Sequence, residues 1–212
     1  MYISRVEVDI FNRKKTRDLM HLGAYHSWVE DSFPEEKEKQ IRSRKLWRID
    51  VIDKKMYLIV VSENMPDLTL LEKYGVEGSA QTKDYDGFLK KIKNGDVMRF
   101  RVTLNPVVSE SLGEGKRGRI KPCYDEKSQI QFLLDRSNIN GFSVDIESLL
   151  LKEKGMSLLK KRGFGQINFV KIVFEGILKV EDADIFRKLL VTGLGKHKAY
   201  GFGLMTVIPV EN

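Results

Sequence analysis

Val97-Met98-Arg99-Phe100-Arg101-Val102-Thr103-Leu104-Asn105-Pro106-Val107-Val108 alternates apolar and polar side chains, the period of a strand with one buried face. Its position decides the fold. Everything before it forms one set of elements, and everything after it repeats their order. Upstream, residues 2–10 alternate as a first strand. Thr16 or Asp18 caps a helix running to about Asp31, with Leu19, Leu22, His26, Val29 and Phe33 along one stripe. Pro34 and the charged run Glu35–Lys39 end it. Strands over 44–52 and 56–62 flank the polar turn Asp53-Lys54-Lys55, a hairpin signal. A short helix near 67–73, a strand near 78–83 and a helical stretch over 84–93 complete the order β-α-β-β-α-β. Downstream of the quoted strand come a basic loop over 113–121 and a helix over Asp125–Asn138. Strands over Phe142–Leu150 and Gln166–Val180 follow, separated by a basic stretch at 152–163. A helix over Asp182–Val191 has carboxylates at its start and Gly193 just past its end. Leu204–Val210 closes as a last strand. The reading is an α+β protein of two tandem ferredoxin-like (RRM-like) βαββαβ domains, 1–93 and 94–212. The segment Lys161-Arg162-Gly163-Phe164-Gly165 only faintly echoes the aromatic signature of RNA-recognition modules and is not counted as a match.

Composition narrows the function. With 42% hydrophobic residues and five prolines in 212, the chain is expected to fold. Its longest apolar runs fall far short of the roughly 20 residues that span a membrane. The charged, alternating N-terminus does not read as a signal peptide, so a cytoplasmic location is expected. A single cysteine, Cys123, leaves no internal disulfide and no Cys-based zinc site. The net charge of +7 points to an anionic partner where the excess is clustered. Residues 1–93 hold 18 basic and 16 acidic side chains, and residues 94–212 hold 19 and 14. Within the second half the excess lies in three glycine-containing segments. These are 115–121 with Lys116, Arg117, Arg119 and Lys121; 152–163 with Lys152, Lys154, Lys160, Lys161 and Arg162; and 193–203 with Lys196 and Lys198. Nucleic-acid contact and plain solvated loops both accommodate that pattern.

The most distinctive motif is Gly193-Leu194-Gly195-Lys196-His197-Lys198-Ala199-Tyr200-Gly201-Phe202-Gly203-Leu204, between a helix and the final strand. Glycines let backbone N–H groups approach an anion, and the lysines add charge. A turn that needs positive φ explains the same glycines. The motif is neither a P-loop nor a dinucleotide fingerprint. Histidine is scarce: His21, His26 and His197. His21 and His26 are five apart, about 140° around a helix, and would not face one ion together. No metal and no cofactor are expected. By its residues alone, His26 reads more readily as a histidine packed between helix and sheet than as a catalyst.

Taken together, Met1-Tyr2-Ile3-Ser4-Arg5-Val6, the segment Ala24–Pro34, Arg99–Pro106 followed by Gly115-Lys116-Arg117, Val173-Phe174-Glu175-Gly176 and Gly193–Leu204 resemble the CasE family. These are the CRISPR-associated endoribonucleases of the type I-E Cascade, and the resemblance runs in order along nearly the whole chain. It implies tandem ferredoxin-like domains and a metal-independent, single-turnover endoribonuclease. Such an enzyme cuts precursor CRISPR RNA at the 3′ base of each repeat hairpin, stays bound to the crRNA and joins the other Cascade subunits. The family's catalytic histidine, on the first helix shortly before its hydrophobic-Pro end, maps to His26 and reverses the weighting above. Some members carry a tyrosine three residues earlier, where this chain has Gly23. The implied chemistry is attack by the RNA 2′-OH on the adjacent phosphorus, leaving a 2′,3′-cyclic phosphate, with histidine as the proton carrier. RNA contacts are expected from Lys116, Arg117, Arg119, Lys160, Lys161, Arg162, Gly193, Gly195, Lys196, His197 and Lys198, and the scissile phosphate is expected in the cleft between the domains. The competing class is a non-catalytic RNA-hairpin-binding subunit of a ribonucleoprotein.

Overall fold

The computed structural model describes residues 1–111, 113, 115, 118–161 and 165–210, with Lys161 described by its backbone alone. The first half supplies β1 (Tyr2–Glu7), β2 (Lys45–Ile52), β3 (Lys55–Ser62) and β4 (Gln81–Asp84), with helices α1 (Arg13–Thr16), α2 (Leu22–Asp31), α3 (Pro34–Glu38), α4 (Leu68–Leu71) and α5 (Asp86–Leu89). The second half adds β5 (Val97–Leu104), β6 (Val107–Glu110), β7 (Arg119–Pro122), β8 (Phe142–Val144), β9 (Leu150–Lys161), β10 (Gly165–Val180) and β11 (Met205–Pro209), with α6 (Glu126–Ser137) and α7 (Ala183–Thr192). The first sheet is ordered β2-β3-β1-β4 and the second β11-β5-β10-β8, both antiparallel. Counted in chain order among these four strands, each sheet runs fourth, first, third, second. The tandem ferredoxin-like order expected from the strand at Val97 is therefore present. No helix among the described residues is long and apolar enough to cross a membrane.

Several boundaries differ from expectation, each for a physical reason. The first helix starts at Leu22, after an extended His21. Asn12, whose side chain accepts from the Lys15 backbone N–H, caps the separate turn α1, and three adjacent basic residues give that turn no apolar face on which to extend. Pro34 does not merely end a helix. It occupies the first turn of α3, where a missing N–H costs nothing. The strand expected over 97–108 breaks at Asn105-Pro106, and Asn105 Nδ2 donates to the Val170 carbonyl at 2.8 Å. Part of the basic loop 113–121 is instead β7, so Arg119 lies in a strand opposite Glu110. The helical stretch over 84–93 reduces to the single turn α5.

The largest correction concerns 152–163. Its described part, 152–161, is not a separator but most of β9, paired with β10 from Lys161↔Gly165 to Leu150↔Glu175. Likewise the strand expected over 142–150 stops at Val144 and gives way to a 3-10 turn at Ile146–Ser148. The β9–β10 pair leaves the sheet as a two-stranded ribbon, exposed along much of both faces. Such a ribbon has no continuous buried face to enforce apolar alternation, which is why its lysines read as a loop. The pairing slips between Val173 and Phe174: Val173 faces Glu153 and Phe174 faces Leu151, so Lys152 is bulged out where the ribbon departs.

Of two apolar cores, one lies within the first half and the other spans both halves. One joins α2 to the first sheet through Val6, Trp28, Val29, Phe33, Trp47 and Leu58. The other fills the second half and reaches back to Leu46, Val61 and Tyr85. As a result β2 is buried on both faces: Lys45 and Trp47 lie toward α2, Leu46 and Arg48 toward the second sheet. Arg48 is 1% exposed. Its guanidinium makes a fork–fork pair with Asp50 at 2.6 and 2.7 Å. It also donates to the Arg101 and Leu204 carbonyls and to Thr206 Oγ1, all at 2.7–2.8 Å. One side chain thus ties β2 to β5 and β11.

Candidate functional site

α2 lies against both the ribbon and the 3-10 turn Lys198–Tyr200 of the glycine-rich segment, so the two halves meet around it. His26, on the second turn of α2, is half-buried, with its side chain 21% exposed. An Arg42 guanidinium N–H donates to His26 Nε2 at 3.3 Å, while His26 Nδ1 lies 3.9 Å from a Glu30 carboxylate oxygen. The Tyr200 ring stands edge-on to the imidazole with centroids 5.5 Å apart. Glu30 in turn faces Lys45 at 3.5 Å and Arg42 at 3.8 Å.

That setting fixes the charge state of His26. Burial lowers its pKa below the usual 6.5, Glu30 partly opposes this, and Arg42 and Lys45 lower it further. Because a guanidinium has no acceptor, the bond to Nε2 requires a lone pair there. At neutral pH the ring is therefore neutral, with Nε2 as the acceptor. Removing the cation should raise the pKa. Arg42→Gln is expected to move the titration of His26 to higher pH, read by NMR from its Cε1 proton, and an unchanged or lowered midpoint would refute this account.

The surrounding packing is close. A Cβ added at Gly23 would lie 3.2 Å from the Lys160 carbonyl oxygen and 3.0 Å from the His21 ring, so the ribbon occupies the space of a side chain at that position. Tyr25 points inward and stacks on Trp47 at 5.8 Å, and burial raises its pKa. Glu36, bonded to Lys45 at 2.6 Å, to Ser43 and to Asn64, keeps its carboxylate ionised. Its burial opposes ionisation, but these hydrogen bonds win and hold the pKa at about 2.

The glycine-rich segment is shaped by packing. Gly201 has φ +80°, and a Cβ there would meet the Trp47 ring at 2.6 Å. Gly203 has φ +87°, and a Cβ there would meet the Leu194 carbonyl oxygen at 2.4 Å. Trp47 Nε1 donates to the Ala199 carbonyl at 3.0 Å, which clips the turn onto β2. Gly193 is pressed against Leu46, while Gly195 has room. His197 takes a left-handed conformation and packs against Phe169 with the rings tilted by 34° and centroids 4.2 Å apart. Burial and Lys196 lower its pKa. Burial, then Arg44, lowers that of Lys198.

Of the residues singled out in the sequence, the structure brings His26, the backbone of Lys160 and the turn carrying His197 and Lys198 around one helix. Lys160 and Lys196 have exposed side chains. Arg119 sits apart, on the β6–β7 hairpin. Lys116, Arg117 and Arg162 lie outside the described residues, as does the Lys161 side chain. Sequence reasoning missed Glu30, Arg42, Lys45 and Tyr200. Glu30 was within reach, four residues past His26 on the same helix face. Arg42 carried no signal, because it comes from a charged connection. Among the described residues no group of three His, Cys, Asp or Glu side chains is placed to hold a metal ion.

The chain is 26% identical to the CRISPR-associated endoribonuclease Cse3 of Thermus thermophilus over 217 residues, covering 99% of this chain and 100% of the relative. Its fold is similar to that of a CRISPR endoribonuclease Cse3 bound to 19 nt RNA, with TM-score 0.78 at 21% identity over 98% of each chain. It is also similar to Cas6e from Escherichia coli K-12, with TM-score 0.62 at 19% identity over 99% of this chain and 100% of the other. A family profile described as "CRISPR associated protein" matches residues 1–209, and on that match the chain belongs to this family.

Proposed function

We infer that the chain is an endoribonuclease that processes CRISPR RNA. The observation that carries this is the place of His26, with Nε2 3.3 Å from the Arg42 guanidinium at the junction of α2, the ribbon and the glycine-rich turn, where burial and Arg42 lower its pKa. The relative from Thermus thermophilus bears the name of such an enzyme, and solved relatives hold RNA or stand in a CRISPR RNA-guided surveillance complex.

The mechanism needs only this chain and the RNA. A repeat hairpin lies across the basic second domain, 94–212, and its scissile phosphate enters beside α2 of the first, 1–93. Lys116, Arg117, Arg119, Lys160, Lys161, Arg162, Lys196, His197 and Lys198, with the N–H groups at Gly193 and Gly195, hold its phosphates. Arg42 exchanges His26 for a non-bridging phosphate oxygen, which frees Nε2. His26 then takes the 2′-OH proton, the 2′-oxygen attacks phosphorus, and the bond to O5′ breaks as that oxygen takes a proton from solvent water, whose hydroxide is neutralised by the proton on His26. Cations around the phosphorane stabilise its added charge. The products are a 2′,3′-cyclic phosphate and a 5′-OH. The hairpin product stays bound, so turnover is single, and the complex joins the other Cascade subunits in the cytoplasm.

The test is gel analysis of repeat RNA incubated with the protein in EDTA. Ribose RNA should be cut, and the same RNA with one deoxyribose at the scissile nucleotide should bind with unchanged affinity and stay whole. Cleavage of the deoxy substrate, or its abolition by EDTA, would refute the mechanism.

A further inference from the structure

Tyr200 is a shared wall. Its ring borders His26, and it also lines a pocket of about 170 Å³ between α2, β2, the ribbon and the glycine-rich turn. Tyr25 and Trp47, stacked with 24° between their planes, line the same space. Thr103, also in the lining, is 2% exposed, and its Oγ1 is fully buried without a hydrogen-bond partner in the protein. A buried hydroxyl left unpaired is costly, so its presence beside a cavity points to something that enters and bonds to it. Ser157 and Lys171 reach the pocket from the ribbon, and Lys171 is already paired with Glu153 at 2.7 Å.

Flat aromatic walls, one orphan hydroxyl and a polar rim do not suit a phosphate, which needs converging uncommitted donors. They suit a planar ring with a hydrogen-bonding edge. We propose that this pocket receives one unpaired nucleobase of the RNA, from a nucleotide adjoining the phosphate at His26. Its face lies against the aromatic wall, and its edge satisfies Thr103 Oγ1. The proposal rests on the ribonuclease reading above and deepens it. Seating the base fixes the backbone on that side of the phosphate, which helps align the 2′-oxygen for in-line attack. Only an unpaired base can leave the stack and bring its face and Watson–Crick edge into the pocket, so the pocket selects single-stranded over paired RNA at this position.

The experiment uses hairpin RNA with single-stranded flanks and a deoxyribose at the scissile nucleotide, so that binding is read without cleavage. Each of the two nucleotides adjoining the scissile phosphate is made abasic in turn, or replaced by 2-aminopurine. At one of them the abasic change should weaken binding about tenfold, and 2-aminopurine should be quenched on binding. Filling the pocket with Leu22→Phe, or with Ser157→Tyr should the first variant not fold, should erase that abasic penalty, because the base no longer enters. Thr103→Val keeps the side chain's shape. It should leave thermal stability equal or higher while weakening the intact RNA several-fold and the abasic RNA not at all. Abasic RNAs that bind like the parent, a penalty undiminished in the filled pocket, or a Thr103→Val variant that loses stability but not affinity would each overturn the proposal. Base-dependent binding by a protein that fails to cut ribose RNA would instead refute the ribonuclease reading and leave the pocket standing.

Discussion

His26→Ala is expected to lower the single-turnover rate of repeat-hairpin cleavage by about 10²–10⁴-fold, the usual worth of a positioned general base. The loss should fall on the rate and not on affinity. In the free protein His26 faces Arg42, Glu30 and the Tyr200 ring, and an alanine leaves the basic residues proposed to grip the hairpin in place. Nor should the fold suffer much, because the ring is partly exposed and belongs to neither apolar core. The pH profile adds a second signature. Since the pKa of His26 is lowered in the free protein, the wild-type cleavage rate at protein concentrations well below saturation should hold down through neutrality and fall only on the acid side of the usual 6.5. In His26→Ala that acid limb should vanish along with the rate. The measurement is gel-resolved cleavage in EDTA from pH 5 to 8, with affinity by filter binding. A variant that cuts within threefold of wild type, or that loses affinity in proportion to rate, would remove His26 as the base.

Arg48→Leu should destabilise the protein by about 3–5 kcal/mol, the usual cost of removing one partner from a buried ion pair. The substitution leaves Asp50, 3% exposed, with Arg101 Nε at 3.1 Å as its remaining cation. It also strips the Arg48 donors from the Arg101 and Leu204 carbonyls and from the Thr206 hydroxyl. In a chain of this size the loss corresponds to a fall in Tm of about 10 °C or more. The double variant Arg48→Leu/Asp50→Leu should recover much of it, because no buried charge is then left alone at that point. Urea unfolding of both variants decides. A loss under about 1 kcal/mol in the single variant would mean that water already reaches the pair, with the pair worth no more than a surface salt bridge.

The element order was legible because Met98, Phe100, Val102 and Leu104 alternate over one buried face, and because the second half reuses the plan of the first. The cap at Asp182 and the stop at Gly193 were legible for local reasons, since both act within a few residues of α7. Arg48 was not. Lys45-Leu46-Trp47-Arg48 is buried throughout, and no periodicity tells which polar residue of a doubly covered strand will find its partners on another sheet. The ribbon was hidden for the converse reason, since a strand pair exposed along most of its length carries only a broken apolar alternation, with Leu159 and Val170 as isolated buried positions. At the site, the helical stripe put Val29 and Phe33 in the core as expected but omitted Trp28, whose Nε1 donates to the Leu71 carbonyl at 3.1 Å. His26 lies on the stripe yet faces Arg42 and Tyr200. These contacts come from a connection and from the far end of the chain, so the stripe alone could not separate a reactive histidine from a packed one.

The bulge at Lys152 has a consequence for how this protein can vary. Beyond it, side chains of β9 fall alternately on two sides, with Ser157 and the buried Leu159 on one and Met156 and Lys160 on the other. The slip between Val173 and Phe174 sets the phase of that alternation, much as a frame sets the reading of codons. Inserting or deleting one residue between the bulge and Lys160 would exchange the two sides at once, turning lysine inward and leucine outward, although composition and net charge would hardly change. Paired changes of two residues would preserve the phase and alter only reach. Length variation in this arm should therefore be tolerated in even steps and rejected in odd ones.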